Sequence, residues 1–338
     1  MLLKSYNIAI VGPMGMVGRK ITSILAERDF PINKLKLLGT EKNKGKKVTF
    51  KERTIYTEVA KKGAFKDVDI AFFCAGNEVS KDLAPIAIEE GALVIDNSSR
   101  WRMDPKIPLV VPEVNPEDLD WHQGLVANPN CSTIQMLVVL KPIHRRYGIK
   151  RVVVSTYQAV SGTGKRAIDE LNSQVEDYIS KNRITNSVYP YQILFNALPH
   201  IDSFLDTGYT KEEMKMIDET KKILGKDIQV TATTVRIPVF TAHAESVNVE
   251  TKLPMDIDDL TTILNYSKGI KVLDYPGKNI YPIPINCAGK DHVFVGRIRK
   301  DYSIENGVNM WIVADNLRKG AALNAVQIAE TLIDRDLL

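Results

Sequence analysis

A glycine-rich turn directly after an all-apolar segment constrains the fold of this chain more than any other feature of its sequence. The apolar segment is Ile8-Ala9-Ile10-Val11, which is typical of a strand buried on both faces of a sheet. The turn that follows is Gly12-Pro13-Met14-Gly15-Met16-Val17-Gly18, and it opens a helical segment at about 16–27. In this placement, glycines let the backbone approach a pyrophosphate, whose charge meets the amides of the helix N-terminus. Because the spacing is G-x-x-G-x-x-G rather than G-x-G-x-x-G, a turn without a ligand is the alternative.

Alternating strand-like and helix-like segments continue after this turn. Strands are predicted at 35–38, 68–73 and 92–96, and a helix at about 79–89. Strand-helix-strand units of this length indicate a mostly parallel sheet with helices on both faces. The sequence therefore predicts a doubly wound α/β domain of the Rossmann type.

The pattern changes beyond about residue 130. Helices are predicted at 134–147 and 165–181, and a terminal helix at about 316–334. Long strands are predicted at 151–157, 230–240, 245–251, 293–299 and 308–313. We therefore expect an α+β domain with an antiparallel or mixed sheet, which would be the catalytic and dimerisation domain. The predicted boundaries are 1–130 with the terminal helix 316–338 for the nucleotide-binding domain, and 131–315 for the second.

Composition excludes several classes of protein. Of the 338 residues, 44% are hydrophobic and 25% are charged, which excludes disorder, collagen-like repeats and coiled coil as the main architecture. No apolar run approaches the roughly 18 residues of a membrane span, and no signal peptide is recognised before Tyr6. The three scattered cysteines have neither a disulfide pattern nor metal-ligand spacing. We therefore expect a cytoplasmic protein without a membrane partner or a bound metal.

Charge is concentrated near the N-terminus. Residues 1–66 contain fifteen Lys and Arg but five Asp and Glu. This surplus of positive charge could bind nucleic acid or a phosphorylated small molecule. The alternative is a lysine-rich surface that contacts only solvent. Because the region lacks interleaved aromatic residues and any nucleic-acid motif, we expect no nucleic-acid partner.

The segment Gly39–Gly45 follows the second predicted strand, where a dinucleotide fold reads the ribose. Glu41 favours the free 2′-hydroxyl of NAD, whereas Lys42 favours the 2′-phosphate of NADP. Lys42 and Asn43 together predict NADP, with NAD use not excluded and a solvated charged loop as the alternative.

One cysteine has a setting that suits nucleophilic chemistry. Cys131, in Asn130-Cys131-Ser132-Thr133, lies at or beside the start of an apolar helix, whose partial positive charge stabilises a thiolate. Cys74 and Cys287 lack that setting, and an inert buried thiol is the alternative for Cys131 as well. His243 lies between two predicted strands, and spacing alone cannot bring it to Cys131. A structural histidine is the default interpretation there.

Together, these segments resemble the aspartate-semialdehyde dehydrogenases from residue 7 to about residue 330. The resemblance rests on motifs that occur in the family's order: Gly12–Gly18, Asp96-Asn97-Ser98-Ser99, Val111–Asn115, Asn128–Thr133, Gln158–Gly164, Glu212–Lys215, Arg236–Val239, His243 and Asp315–Ala322. The cysteine motif and the Gln158–Gly164 turn are specific in combination.

The resemblance implies a reversible, NADP-dependent reductive dephosphorylation of β-aspartyl phosphate through a cysteine thioester. It implies three catalytic residues: Cys131 as nucleophile, His243 as acid/base, and Gln158 orienting the thioacyl group. The implied substrate-binding residues are Arg102, Asn130, Gln158, Glu212, Lys215 and Arg236. The implied cofactor-binding residues are Gly12, Met14, Gly15, Met16, Val17, Lys42, Asn43, Ser161, Gly162 and Asn316. A homodimer or a dimer of dimers is also implied.

Three alternatives remain open at the level of sequence. Another acyl-phosphate reductase, such as N-acetyl-γ-glutamyl-phosphate reductase, shares the architecture and a Cys/His pair. A non-catalytic dinucleotide sensor and a cysteine hydrolase belong to different classes. The chain also departs from the family, because Pro13-Met14 replaces the usual Ala-Thr of the first turn and Glu41-Lys42-Asn43 replaces a serine- and arginine-bearing loop.

Overall fold

Two compact units make up the computed structural model, which describes residues 4–338. The first contains the chain up to Pro129 together with Ala321–Leu338, and the second is Asn130–Gly320.

The first unit is built on a six-stranded parallel sheet. Its elements are β1 (Tyr6–Val11), α1 (Met16–Glu27), β2 (Ile32–Gly39), β3 (Lys47–Phe50), β4 (Arg53–Tyr56), β5 (Glu58–Val59), β6 (Ile70–Phe73), α2 (Asn77–Glu89), β7 (Leu93–Asp96) and β8 (Leu125–Ala127). Strands β3 and β4 form a small separate hairpin. The order across the sheet is β5-β2-β1-β6-β7-β8, and every pairing is parallel. This is the strand order of doubly wound dinucleotide-binding domains, and the predicted fold class is confirmed.

Alternate residues of β1 explain why the strand is apolar from Ile8 to Val11. Ile8 and Ile10 belong to one core, which also contains side chains of α1. Ala9 and Val11 face the other core, with Ala84 of α2 among its members. A strand segment that is covered on both faces is apolar at successive positions, which is what the sequence shows for these four residues.

The second unit is built on a six-stranded mixed sheet. Its elements are α3 (Cys131–Tyr147), β9 (Ile149–Gln158), α4 (Lys165–Ile179), α5 (Lys211–Leu224), β10 (Gln229–Arg236), β11 (His243–Thr251), α6 (Ile257–Tyr266), β12 (Ile270–Val272), α7 (Pro284–Cys287), β13 (Val293–Asp301) and β14 (Gly307–Ala314). The order is β10-β9-β11-β14-β13-β12, with β10-β9 and β12-β13 parallel and the central pairs antiparallel. A mixed sheet was one of the two predicted forms, and it is confirmed.

Helix α3 packs on one face of this sheet, against β9, β11, β13 and β14. The opposite face carries Tyr157 and Trp311, whose rings lie 5.3 Å apart. Tyr157 is exposed, whereas Trp311 is half-buried and packs against a small cluster that includes Cys287 of α7.

Two predicted elements differ from the structure more than the others do. The strand predicted to reach Phe240 ends at Arg236, shortly before Pro238, whose ring nitrogen carries no hydrogen for a sheet ladder. The last regular helix, α8 (Leu323–Asp334), begins after a π-helical turn at Arg318–Ala322 rather than near Asn316. Within the first unit, α8 packs on α1 and β7.

Among residues 4–338, no helix is both long enough and apolar enough to cross a membrane.

Candidate active site

The glycine turn of the first unit leaves the start of α1 open. Gly12 has φ +88°, and a Cβ there would lie 3.0 Å from the backbone of Cys74, which follows β6. A Cβ on Gly18 would lie 2.3 Å from the carbonyl oxygen of Gly12, so Gly18 sets the packing of helix against turn. Gly15 is the exposed N-cap residue, and the first turn of α1 carries no acidic side chain. These features fit a pyrophosphate at the crevice where the strand order reverses.

The other cofactor residues predicted in this unit surround that turn or lie beyond β2. Met14, Met16 and Val17 are half-buried. Lys42 is exposed in a single 3₁₀ turn, and its neighbour Asn43 accepts a hydrogen bond from Lys46 Nζ at 2.7 Å. Lys42 thus has the exposure that contact with a ribose phosphate requires.

Arg102 also lies in the first unit. Its side chain is buried and donates to the carbonyl oxygen of Asn97 at 3.0 Å. The nearby carboxyl of Asp96 is buried, and this burial raises its pKa, although hydrogen bonds from Ser98 and Ser80 oppose the rise.

In the second unit, Cys131 is the first residue of α3, as the sequence predicted. The side chain of Asn130 caps the helix, because its Oδ1 accepts from the amides of Ser132 (3.0 Å) and Thr133 (3.3 Å). A Cβ on Gly320 would lie 3.0 Å from Cys131 Cβ, so a larger residue at 320 would press on the cysteine. The first turn of α3 has no acidic residue, and its amide dipoles favour a thiolate.

The other two cysteines have environments that keep the thiol protonated. Burial raises the pKa of Cys74 well above the normal value for a thiol, and the charge of Asp96 raises it further. Burial raises the pKa of Cys287 to about 11. Neither offers a nucleophile at neutral pH.

His243, the first residue of β11, is completely buried. Its Nδ1 accepts the backbone N–H of Ala159 at 3.0 Å, which places the proton of the neutral ring on Nε2. Burial lowers the pKa of His243 well below the usual value, and the charge of Arg236 lowers it further. Nε2 has no hydrogen-bond partner among residues 4–338. His243 is therefore a neutral donor whose N–H remains available.

Arg236, the last residue of β10, shares an anchor with His243. Its Nη1 donates to the carbonyl oxygen of Ala159 at 2.7 Å, so both side chains hold the same residue. Gly162 lies against both: a Cβ there would be 2.8 Å from Arg236 Nη1 and 3.1 Å from His243 Nε2. The absence of a side chain at 162 leaves space beside these groups.

Glu212 of α5 is the centre of a buried polar group. Its Oε1 accepts from Asn130 Nδ2 at 2.9 Å and from Gln158 Nε2 at 3.3 Å, while Oε2 lies 3.1 Å from Lys215 Nζ. Burial opposes ionisation, but Lys215 and Asn130 outweigh it and hold the pKa of Glu212 below its usual value. Lys215 also pairs with Asp202 at 2.8 Å. The structure thus brings three predicted residues together around the ionised carboxylate of a fourth, Glu212.

Ser161 and Asn316, both predicted to bind cofactor, contact each other. Asn316 Nδ2 donates to Ser161 Oγ at 3.0 Å, and its Oδ1 accepts the N–H of Ala242 at 3.0 Å. Ala242 has φ +76°, a left-handed conformation that is uncommon for alanine and is held here immediately before His243.

Sequence reasoning missed several residues that hold this site. Ala159 acts through its backbone, which no pattern reveals. Gln135, one turn beyond Cys131 on α3, donates to the carbonyl oxygen of His243 at 3.3 Å. Glu219 of α5 accepts the backbone N–H of Asn130 at 2.6 Å. Gly320 belonged to a motif of the resemblance but carried no assigned role, and the steric need at Cys131 was not visible without coordinates.

Comparison with known proteins agrees with this arrangement. A family model described as "Semialdehyde dehydrogenase, NAD binding domain" matches residues 7–122, and "Semialdehyde dehydrogenase, dimerisation domain" matches residues 140–319. An aspartate-semialdehyde dehydrogenase of Aquifex aeolicus is 53% identical over 98% of this chain and 99% of the relative, and one of Bacillus subtilis is 48% identical over 97% and 98%. The crystal structure of aspartate semialdehyde dehydrogenase II from Vibrio cholerae superposes with a TM-score of 0.95, at 48% identity over 98% of this chain and 99% of that one.

The two family models together cover most of the chain, and they place a protein with this fold and with a cysteine at a helix start among the semialdehyde dehydrogenases. Within that class the sequence relatives are specific. The chain belongs to the aspartate-semialdehyde dehydrogenase family.

Proposed function

We propose that the protein catalyses the reversible, NADP-dependent reductive dephosphorylation of β-aspartyl phosphate to aspartate β-semialdehyde. The observation that carries this proposal is the placement of Cys131 at the start of α3, where its cap residue Asn130 is bonded to the ionised Glu212. A nucleophile is thereby held beside a carboxylate suited to a substrate ammonium group. The crystal structure of the Vibrio cholerae aspartate semialdehyde dehydrogenase II in complex with ASA supports the same substrate class.

Cys131 begins the reaction as a thiolate. Its Sγ attacks the acyl carbon of the substrate, the bond from that carbon to the phosphate oxygen breaks, and phosphate leaves with the electron pair. A thioester remains on Cys131. A thiolate suits this step because it is a strong nucleophile near neutral pH when helix amides stabilise it.

NADPH, when bound, supplies the hydride that reduces the thioester carbonyl. The predicted holders of its pyrophosphate are Gly12, Met14, Gly15, Met16 and Val17, and those of the ribose phosphate are Lys42 and Asn43. Ser161, Gly162 and Asn316 remain the predicted contacts of the nicotinamide half. The bonded pair of Ser161 and Asn316 gives that surface a fixed shape.

We assign His243 a narrower role than the acid/base function that the resemblance implies. With Nδ1 accepting from Ala159, the ring presents Nε2–H, which donates to the oxygen that gains negative charge in each tetrahedral adduct on Cys131. The thiohemiacetal alkoxide then collapses, the carbon–sulfur bond breaks, and the thiolate is restored. Because no net proton transfer is needed in this sequence, a neutral N–H donor is sufficient.

Substrate recognition is proposed to use charged residues of the second unit. Glu212 receives the α-ammonium group, and Arg236, whose Nε has no partner among the described residues, pairs with the α-carboxylate. Gln158 orients the thioacyl group from the end of β9. Lys215 and Arg102 remain the predicted phosphate ligands.

The product would enter amino-acid biosynthesis by the aspartate pathway, as the family resemblance implies. The proposed destinations are lysine by way of diaminopimelate, threonine, methionine and isoleucine. We place this activity in the cytoplasm.

We also propose that the protein works as a homodimer, built through the face of the mixed sheet opposite α3. Support comes from the family model that matches residues 140–319 and from the paired rings of Tyr157 and Trp311 on that face. Further association into a dimer of dimers would use a second interface, because a two-fold contact occupies the first face on both subunits.

The test of the activity is an assay in the oxidative direction, with aspartate semialdehyde, phosphate and either NADP or NAD. We expect turnover with NADP, and Cys131→Ala should abolish turnover while retaining cofactor binding, because the thioester cannot form. Calorimetric titration of NADP into the variant checks the second point. Turnover of N-acetylglutamate semialdehyde in place of aspartate semialdehyde would assign the protein to the other acyl-phosphate reductases.

A further inference from the structure

A second carboxylate of α5 contacts the residue before the nucleophile. Glu219 is 1% exposed, and its Oε2 lies 2.6 Å from the backbone nitrogen of Asn130, whose N–H donates to it. Glu219 and Glu212 are seven residues apart, which places them two turns apart on one face of the helix. Asn130 is thus held by α5 through its backbone and through its side chain.

These contacts fix Asn130 at three points. Its N–H is bonded to Glu219, its Nδ2 to Glu212, and its Oδ1 to the first amides of α3. The backbone bond fixes the peptide that enters the helix, and Cys131 follows immediately. Removal of this acceptor would leave a buried N–H unsatisfied, which is costly.

We propose that Glu219 is a positioning residue for Cys131. It acts by holding the Asn130 peptide so that the thiolate is directed at the acyl carbon and aligned with the helix amides. This inference rests on the proposed function in one respect, namely that Cys131 is the nucleophile. Glu219 itself does not touch the reacting atoms in this proposal.

The experiment compares Glu219→Leu with Glu219→Gln. Both variants remove the carboxyl group, but the amide oxygen of glutamine can still accept the Asn130 N–H, so their difference reports the hydrogen bond. We expect Glu219→Gln to keep kcat within about threefold of the wild type. Glu219→Leu should fall at least about tenfold below Glu219→Gln in kcat, since small displacements of a nucleophile cost up to about 100-fold. KM should change by less than kcat in the leucine variant.

Glu213 provides a matched control on the same helix. It is also buried, and it accepts the backbone N–H groups of Thr210 at 2.7 Å and Thr234 at 3.0 Å, but has no bond to Asn130. Glu213→Leu should lower the melting temperature while kcat stays within about threefold of the wild type. A purely structural role for Glu219 predicts the same behaviour for both leucine variants.

A second measurement is independent of the substrate. The rate of alkylation of Cys131 by iodoacetamide, followed by mass spectrometry of its peptide, should fall in Glu219→Leu relative to Glu219→Gln. Equal kcat and equal alkylation rates in these two variants would overturn the positioning role, as would equal losses in Glu219→Leu and Glu213→Leu. A wild-type protein inactive toward aspartate semialdehyde would instead reject the proposed function, while the alkylation comparison would still decide the role of Glu219.

Discussion

Gly162 shows how much a single residue without a side chain determines at this site. Alanine at 162 would place a Cβ 2.8 Å from Arg236 Nη1 and 3.1 Å from His243 Nε2, distances that both groups can relieve only by moving. Sequence analysis selected Gly162 for a different reason, as a contact of the nicotinamide implied by the resemblance. Its steric relation to two other site residues was not predictable, because 162, 236 and 243 belong to separate segments of the chain.

We therefore predict that Gly162→Ala lowers kcat about 10- to 100-fold and raises KM for aspartate semialdehyde, since displacement of catalytic groups by fractions of an ångström has effects of this size. Steady-state kinetics measures both parameters. Gly277→Ala is the control, because a Cβ there meets no atom within 4 Å. Wild-type kinetics in Gly162→Ala would show that the side chains of Arg236 and His243 do not need their present positions.

At the scale of elements, β11 lies against α3 with two buried polar side chains, Glu245 and Gln135, between them. The Oε1 of Gln135 has no hydrogen-bond partner among the described residues. Burial raises the pKa of Glu245 well above the usual value for a carboxyl, although a side-chain hydrogen bond with Gln135 opposes the rise. A protonated Glu245 is thus the form compatible with this buried position, and its O–H is a donor suited to Gln135.

The direction in which folding stability changes with pH follows from the protonation of Glu245 in the unfolded and the folded chain. In the unfolded chain Glu245 loses its proton above about pH 4.5, whereas in the folded protein it keeps it, so stability falls as pH rises. Glu245→Gln removes this penalty and should raise the melting temperature at pH 8 by at least about 2 °C, with a smaller gain at pH 5. His243 has the opposite effect, because stability is lost as pH falls below about 6.5. This effect is the same in the wild type and in Glu245→Gln, so it cancels in the comparison.

Thermal unfolding of the wild type and of Glu245→Gln at pH 5 and pH 8 measures the difference between their melting temperatures. Glu250→Gln on the same strand is the control, because that carboxylate pairs with Lys150 at 2.5 Å and its loss should bring no gain at pH 8. A Glu245→Gln variant less stable than the wild type at pH 8 would contradict a protonated Glu245.

The longer elements were mostly predictable because each depends on local pattern, whereas β3, β4, β5, β8, β12 and α6 were not predicted. Helix α1 has the predicted bounds, because the glycine turn before it and the apolar residues of its buried face lie in one short segment of the sequence. The end of β10 and the start of α8 were placed wrongly, because Pro238 and the π-helical turn interrupt patterns that remain apolar. The apolar pattern predicts the type of element, but it does not predict the residue at which the backbone hydrogen bonds of a strand or helix end.

For the whole molecule, the predicted class of each sheet is confirmed, whereas the assembly of the site came from coordinates. Cys131, Gln158, Glu212 and His243 are separated by 27 to 112 positions, and only the sheet order and the α3–α5 packing bring such segments together. The resemblance named these residues in advance. It did not indicate that Glu212 bonds both Asn130 and Gln158, or that Ala159 anchors both His243 and Arg236.

The face of the mixed sheet opposite α3 leads to a prediction about assembly. Around the ring pair of Tyr157 and Trp311, the strand pairing places Ser246 directly opposite Trp311 and also beside Ser155, so large rings and small side chains alternate. A two-fold dimer through this face would bring the same patch of each subunit together. Trp311→Glu would place a charge in this face and should shift the protein from dimer to monomer in sedimentation velocity. Tyr302→Glu, on a 90% exposed side chain beyond the end of β13, is the control and should remain dimeric. A wild-type monomer, or a dimer unaffected by Trp311→Glu, would exclude this face as the interface.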